Sequence, residues 1–230
     1  MFYYQDYYLA VILPCLLLTI FAQMNVSSTF SKYSRVRNYR NMTGAQAAEA
    51  VLRANGVMDV RIERVAGNLT DHYDPRSNVI RLSEGVYDAA TVSAVGVAAH
   101  EAGHAVQYAV GYGPIKLRTA IIPVCNVGTR LSFILLVIGL ALYSEPLFAL
   151  GIVFFSLAVV FQLVTLPVEF NASHRALETI EARGLLSEDE LSGAGRVLRA
   201  AALTYVAALL MSIVQLLRYV LIFLGRRGRS

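Results

Sequence analysis

His100-Glu101-Ala102-Gly103-His104 lies inside a long Ala/Val-rich run, residues 92–110. On a helix, residues four apart share one face. His100 and His104 can therefore hold one metal ion between them, with Glu101 beside them to handle a proton. The chain has only four histidines, and two of them stand here at ligand spacing. The bland alternative for so short a pattern is a buried helix with two hydrogen-bonded histidines.

Around the motif the composition points to a membrane. Hydrophobic residues make up 56% of the 230 residues and charged residues 16%, and the mean hydropathy is +0.53. A soluble domain usually carries about 25% charged residues. Three runs are long enough to cross a bilayer, which takes roughly 20 apolar residues. Residues 7–24 are uncharged, residues 120–143 are apolar apart from Arg130, and residues 146–166 carry no charge. A fourth run, residues 200–224, is apolar but contains Gln215 and Arg218. The first run has no positive segment before it and no small-x-small cleavage site after it, so it reads as a retained anchor. Tyr3, Tyr4, Tyr7 and Tyr8 suit an interfacial aromatic belt.

Lys and Arg set the expected orientation. Lys32, Arg35, Arg37 and Arg40 follow the first run, and none precedes it. The positive-inside rule then places the N-terminus outside and residues 25–118 in the cytoplasm. The Ser144-Glu145 turn would face outside, and Arg175, Arg183, Arg196 and Arg199 would be cytoplasmic again. Arg226, Arg227 and Arg229 run against the rule if the fourth run spans. The pI of about 9.1 is accounted for by this topology and by contact with anionic lipid. No face combines aromatic and basic residues in the way nucleic-acid binding requires. Cys15 and Cys125 fall in apolar runs and form no disulfide framework or C-x-x-C pair.

The expected fold class is a mainly α membrane protein, with transmembrane helices and a small α+β, zincin-like cytoplasmic domain carrying the H-E-x-x-H helix. The division is an anchor (1–25), a metallopeptidase part (26–118), a transmembrane hairpin (119–166), cytoplasmic helices (167–199), and a hydrophobic helix with a basic tail (200–230). Within the second part, Thr43-Gly44-Ala45-Gln46 resembles a capping box for a helix that stops near Asn55-Gly56. Met58, Val60 and Ile62 alternate with Asp59, Arg61 and Glu63, as in a half-buried strand. Asp71-His72-Tyr73-Asp74-Pro75 reads as a polar loop, and Asn78-Val79-Ile80-Arg81-Leu82 as a short strand. The motif helix starts near Asp88 or Thr91 and ends at Gly111-Tyr112-Gly113-Pro114.

A catalytic zinc takes three protein ligands and keeps one position open. Two histidines supply two. His72, His174 and Glu169 are the candidates for the third, and two expected spans return Glu169 and His174 to the motif side. Glu178 and Glu181 read as solvated neighbours of Arg175 and Arg183.

Leu166-Pro167-Val168-Glu169-Phe170-Asn171-Ala172-Ser173, following the H-E-x-x-H, resembles the YugP-type membrane zinc metallopeptidases. The stretches 71–88 and 201–207 are similar to that family too. More distantly, the chain is similar to the HtpX and Ste24 membrane proteases, which carry Glu-Phe-x-Ala-Asp after their H-E-x-x-H. That resemblance implies Glu169 as the third ligand of Zn2+, a His/His/Glu set of the gluzincin kind. It puts Ser173 where those relatives have an Asp that supports the ligands. It also implies that Asn78, Val79, Ile80, Arg81 and Leu82 form an edge strand that takes an extended peptide by strand addition.

On this reading zinc held by His100, His104 and Glu169 lowers the pKa of its water toward about 7. Glu101 takes a proton from that water and passes it to the leaving amine. The substrates are peptides or membrane proteins cut at the cytoplasmic face of the cell membrane. His174, His72, Tyr73 and Ser173 are candidates for oxyanion stabilisation or for support of the ligands. Two other readings remain open. One is a site-2-type intramembrane protease, which lacks its Leu-Asp-Gly motif here. The other is a non-catalytic membrane scaffold with a zinc site.

Overall fold

The computed structural model describes residues 2–227, with side chains from residue 9 to residue 226. In chain order the elements are α1 (Phe2–Tyr33), α2 (Gly44–Ala54), β1 (Arg61–Val65), β2 (His72–Asp74), β3 (Val79–Ser83), α3 (Glu84–Tyr87), α4 (Val92–Ala109), α5 (Gly113–Ala141), α6 (Glu145–Ala182) and α7 (Glu188–Arg227). The four apolar runs thus become α1, α5, α6 and α7, each long and apolar enough to cross a membrane. All four outrun their apolar stretches. α6 has 38 residues and passes through Pro167 without ending, so Glu169 stands on the same helix as the third run. The tyrosine belt at positions 3, 4, 7 and 8, the Arg227 side chain and Arg229 lie outside the described side chains.

The chain divides into two compact units. The first comprises Met1–Ala22, Leu117–Leu166 and Thr204–Ser230. Small residues let its helices approach. A Cβ on Gly139 would stand 2.5 Å from the Phe148 backbone nitrogen, and one on Gly151 would stand 2.9 Å from that of Leu136. Close backbone approach at small residues is the usual packing device in lipid, where no hydrophobic drive joins one helix to another. Phe133, Val137 and Val153 are 50–70% exposed. A continuous apolar surface of this kind calls for a membrane around it.

The second unit, Gln23–Lys116 with Pro167–Leu203, holds the motif. α2 begins at the expected capping box. The Gln46 N–H donates to Thr43 Oγ1, and the Gln46 Oε1 accepts from the Thr43 N–H. Its apolar face, Ala47, Ala48, Val51 and Leu52, is buried in the core with α4. α4 is capped by Thr91, whose hydroxyl accepts from the Ala94 N–H, so the helix starts at the later of the two expected positions. Val92, Ala94, Val95, Ala98, Ala99 and Ala102 are all 0% exposed. An Ala/Val helix of this kind is not amphipathic because other elements cover it on all sides.

The sheet has the order β1-β3-β2. β1 lies parallel to β3, pairing Arg61 with Val79 through Val65 with Ser83. β2 lies antiparallel to β3, pairing His72 with Arg81 and Asp74 with Val79. The stretch expected to be an edge strand is therefore the central one, and neither of its sides is free to take a peptide. Its buried side chains give the reason: Val79, Ile80 and Leu82 are 0% exposed, a run that only an interior strand can cover. Two smaller expectations are also corrected. The first strand begins at Arg61 rather than Met58, which is 76% exposed. The expected polar loop contains β2, one of the two edge strands of the sheet.

A tight hairpin joins β2 to β3. The Asp74 carboxylate accepts from the Arg76 N–H and the Ser77 hydroxyl, and Asn78 takes φ +52°, a left-handed conformation that Asn tolerates. The Ser77 and Arg76 bonds hold the Asp74 carboxyl down to about 2. The folded value lies below the unfolded one, so this support holds above about pH 4 and is lost as pH falls toward 2.

α4 and the 167–182 part of α6 meet backbone to backbone. A Cβ on Gly103 would stand 2.6 Å from the Ala172 carbonyl oxygen. Gly103→Ala is expected to destabilise the protein by about 1–3 kcal/mol and to weaken zinc binding by forcing α6 away. Thermal unfolding and zinc titration of the purified variant check this. Unchanged values would show that the contact yields without disturbing the histidines.

Candidate metal centre

His100 and His104 stand one turn apart on α4, with ring centroids 4.7 Å apart and planes at 81°. Both turn Nε2 toward α6. There Glu169 Oε2 lies 3.2 Å from His100 Nε2 and 3.6 Å from His104 Nε2. Among the described residues, these three are the His, Cys, Asp or Glu groups that converge tightly enough to share a metal ion. Two ligand atoms about 2.0–2.1 Å from a tetrahedral zinc are about 3.3 Å apart. The observed spacings match that figure, so the residues present fit zinc.

The other ring nitrogens are held as well. His104 Nδ1 is 3.0 Å from Gln107 Oε1. The Gln107 amide nitrogen donates to the Val168 carbonyl at 2.8 Å and to Asn171 Oδ1 at 3.0 Å. Its oxygen is therefore the atom that faces the histidine, and it accepts from Nδ1–H. That network assigns the tautomer and leaves the Nε2 lone pair for a metal. His100 Nδ1 is 3.0 Å from Ser173 Oγ, which supports the second histidine in the same way. The contact is between two neutral groups when the His100 ring is neutral.

Glu101 is 9% exposed and lies outside the converging trio. Its Oε2 accepts the Tyr73 N–H at 3.0 Å. An amide that reaches Glu101 is turned away from β3, so the free edge of β2 faces the motif. The Tyr73 hydroxyl points elsewhere and donates to Asn78 Oδ1 at 2.7 Å. Burial and the neighbouring Tyr108 push it up to about 12, so it stays a neutral donor. His72 is exposed, with Nδ1 2.8 Å from the Thr70 carbonyl. The His174 side chain is 75% exposed and 3.9 Å from Glu178. The structure brings neither histidine to the trio. Arg81 pairs with Asp74 at 3.2 Å, and Val79, Ile80 and Leu82 are buried in the core.

Gln107 and Asn171 were not singled out in the sequence. Gln107 is seven residues after His100 and three after His104, a spacing that puts it on the ligand face of an otherwise Ala/Val helix. Gln107→Leu, which keeps the bulk and removes the acceptor, is expected to lower zinc affinity by about 10–100-fold. A competition titration with a chromogenic chelator reads this, and Gln107→Glu should recover most of the loss. Equal affinity in wild type and Gln107→Leu would remove the amide from the metal's support.

Two helices thus bring His100, His104 and Glu169 together as a possible metal site, in a chain with four helices long and apolar enough to cross a membrane. Residues 8–224 match the family described as "Putative neutral zinc metallopeptidase", and the chain belongs to that family. It is 49% identical over 213 residues to the "Putative membrane protease YugP" of Bacillus subtilis (strain 168), covering 93% of this chain and 95% of that protein. No solved structure matches it.

Proposed function

We propose that the chain is a membrane zinc metalloendopeptidase that hydrolyses peptide bonds at the cytoplasmic face. The observation that carries this reading is the set of ligand spacings around Glu169 Oε2, 3.2 and 3.6 Å, which suit a tetrahedral zinc. Zinc bound there would act as a Lewis acid on the scissile carbonyl and make water a better nucleophile at neutral pH. His100, His104 and Glu169 would hold the ion, and Gln107 and Ser173 fix the two rings. Glu101 takes a proton from the attacking water and delivers it to the leaving nitrogen.

The free edge of β2 replaces the central strand as the proposed substrate rail. An extended peptide laid along His72–Asp74 would hydrogen-bond to the outer side of β2 and pass Glu101. Its carbonyl would take the Tyr73 N–H that now donates to Glu101. Peptides or flexible segments of membrane proteins fit this rail, because a folded strand offers no unpaired backbone.

The motif helix favours an interfacial site over an intramembrane one. α4 packs with the sheet, with α2 and with α3, and it is not one of the four candidate spans. A metal centre beside such a domain is easier to sustain than one in lipid. The test is cleavage of unfolded casein by the purified full chain, with zinc counted by elemental analysis. Stoichiometric zinc together with cleavage that a chelator stops and zinc restores supports the enzyme. Stoichiometric zinc without cleavage would favour a scaffold.

The orientation rests on Lys32, Arg35, Arg37 and Arg40 after the first apolar run. Single cysteines at Met58 and Ser144, in a background lacking Cys15 and Cys125, can be probed in intact cells with an impermeant thiol reagent. Labelling at position 144 and protection at position 58 is expected. The opposite pattern would place the peptidase outside the cell.

A further inference from the structure

α1 and α7 frame a cleft of about 440 Å3 that lies apart from the metal centre within the second unit. Asn25, Thr29, Lys32 and Tyr33 line it from α1, and Arg196 and Arg199 from α7. The α1 positions are spaced four, three and one apart, so they form one helical face. Arg196 donates to the Tyr33 hydroxyl at 3.4 Å, and Lys32 Nζ stands 5.4 Å from the Tyr33 ring centre. None of the three cations makes an ion pair among the described residues. Three positive charges gathered on one concave surface repel each other unless an anion joins them.

The position of the cleft says which anion. On the N-terminal side of Asn25, α1 is the apolar run, with Leu16, Leu17, Ile20, Phe21 and Met24 44–67% exposed. On the C-terminal side of Arg199, α7 becomes apolar as well, through residues 200–224. Along the chain, the cations follow the apolar run of α1 and precede that of α7, where candidate spans would leave lipid at headgroup depth. We propose that this cleft binds the phosphate headgroup of an anionic glycerophospholipid. Lys32, Arg196 and Arg199 meet the phosphate charge, and Asn25, Thr29 and Tyr33 supply neutral hydrogen bonds. A zwitterionic lipid offers the same phosphate with an ammonium that cancels it, so it leaves the cations uncompensated.

The test uses the full chain in nanodiscs of phosphatidylcholine with or without phosphatidylglycerol, and native mass spectrometry to count the lipids retained on release. Wild type is expected to keep phosphatidylglycerol in preference to phosphatidylcholine. Lys32→Gln/Arg196→Gln/Arg199→Gln should bind it about a hundredfold more weakly, at roughly fivefold per cation. Arg35→Gln/Arg37→Gln/Arg40→Gln removes the same charge outside the cleft and should retain the lipid. Zinc content and thermal unfolding report whether the triple cleft variant folds, and the single Arg199→Gln, expected at about fivefold, decides the matter if it does not. Equal retention of the two lipids, or an equal loss in the two triple variants, would overturn the site. Displacement of phosphatidylglycerol by millimolar inorganic phosphate would overturn the lipid and assign a free phosphate instead.

Discussion

Glu101→Gln is expected to keep its zinc and to lose peptidase activity by about 10²–10⁴-fold or more. The carboxylate stands next to a ligand in sequence but outside the ligand trio in space, so its removal leaves the metal's donors untouched. Gln has nearly the same size and can still accept the Tyr73 N–H, so packing around the 9% exposed side chain is kept. What it cannot do is take a proton from water. Zinc analysis and casein cleavage of wild type and variant, measured on the same preparations, separate the two effects. Near-normal cleavage would show that the proton moves through another group. Loss of zinc together with activity would show that Glu101 is part of the metal's coordination.

Glu169→Ala is expected to lose zinc outright, beyond the roughly 10–100-fold that removal of an outer hydrogen-bond partner costs. Its side chain is 3% exposed, and Oε2 is the atom shared by both histidines. Without it, two imidazoles remain for an ion that takes three protein ligands. His174→Ala and His72→Ala should bind zinc as wild type does, since both rings lie at the surface. Elemental analysis of the three variants decides between them. Full zinc in Glu169→Ala with loss in His174→Ala would reverse the assignment.

The features visible in the sequence were the local ones. Thr43 and Gln46 announced the start of α2 because a capping box is a contact between residues three apart. The apolar runs announced α1, α5, α6 and α7 because a bilayer demands length and composition alone. His100 and His104 were readable because helical periodicity places them together. The order of the sheet was not readable. Whether residues 79–83 lie at the edge or in the centre depends on β1, which pairs with them across the intervening hairpin. The three residues of β2 sit between Asp71 and Pro75, where turn-forming chemistry hid them. Gln107 was missed for a related reason. One end of its amide meets His104, but the other meets Val168, 61 positions away, and no local pattern advertises that bond.

The donors of the trio come from two helices, α4 and α6, separated in sequence by α5 and the apolar beginning of α6. On the proposed topology that intervening stretch crosses the bilayer and returns. A polypeptide still leaving the ribosome holds His100 and His104 but not Glu169 on the same side. On that topology the full donor set exists only after α5 and the apolar beginning of α6 have been made, so zinc binding follows synthesis of the transmembrane hairpin rather than preceding it.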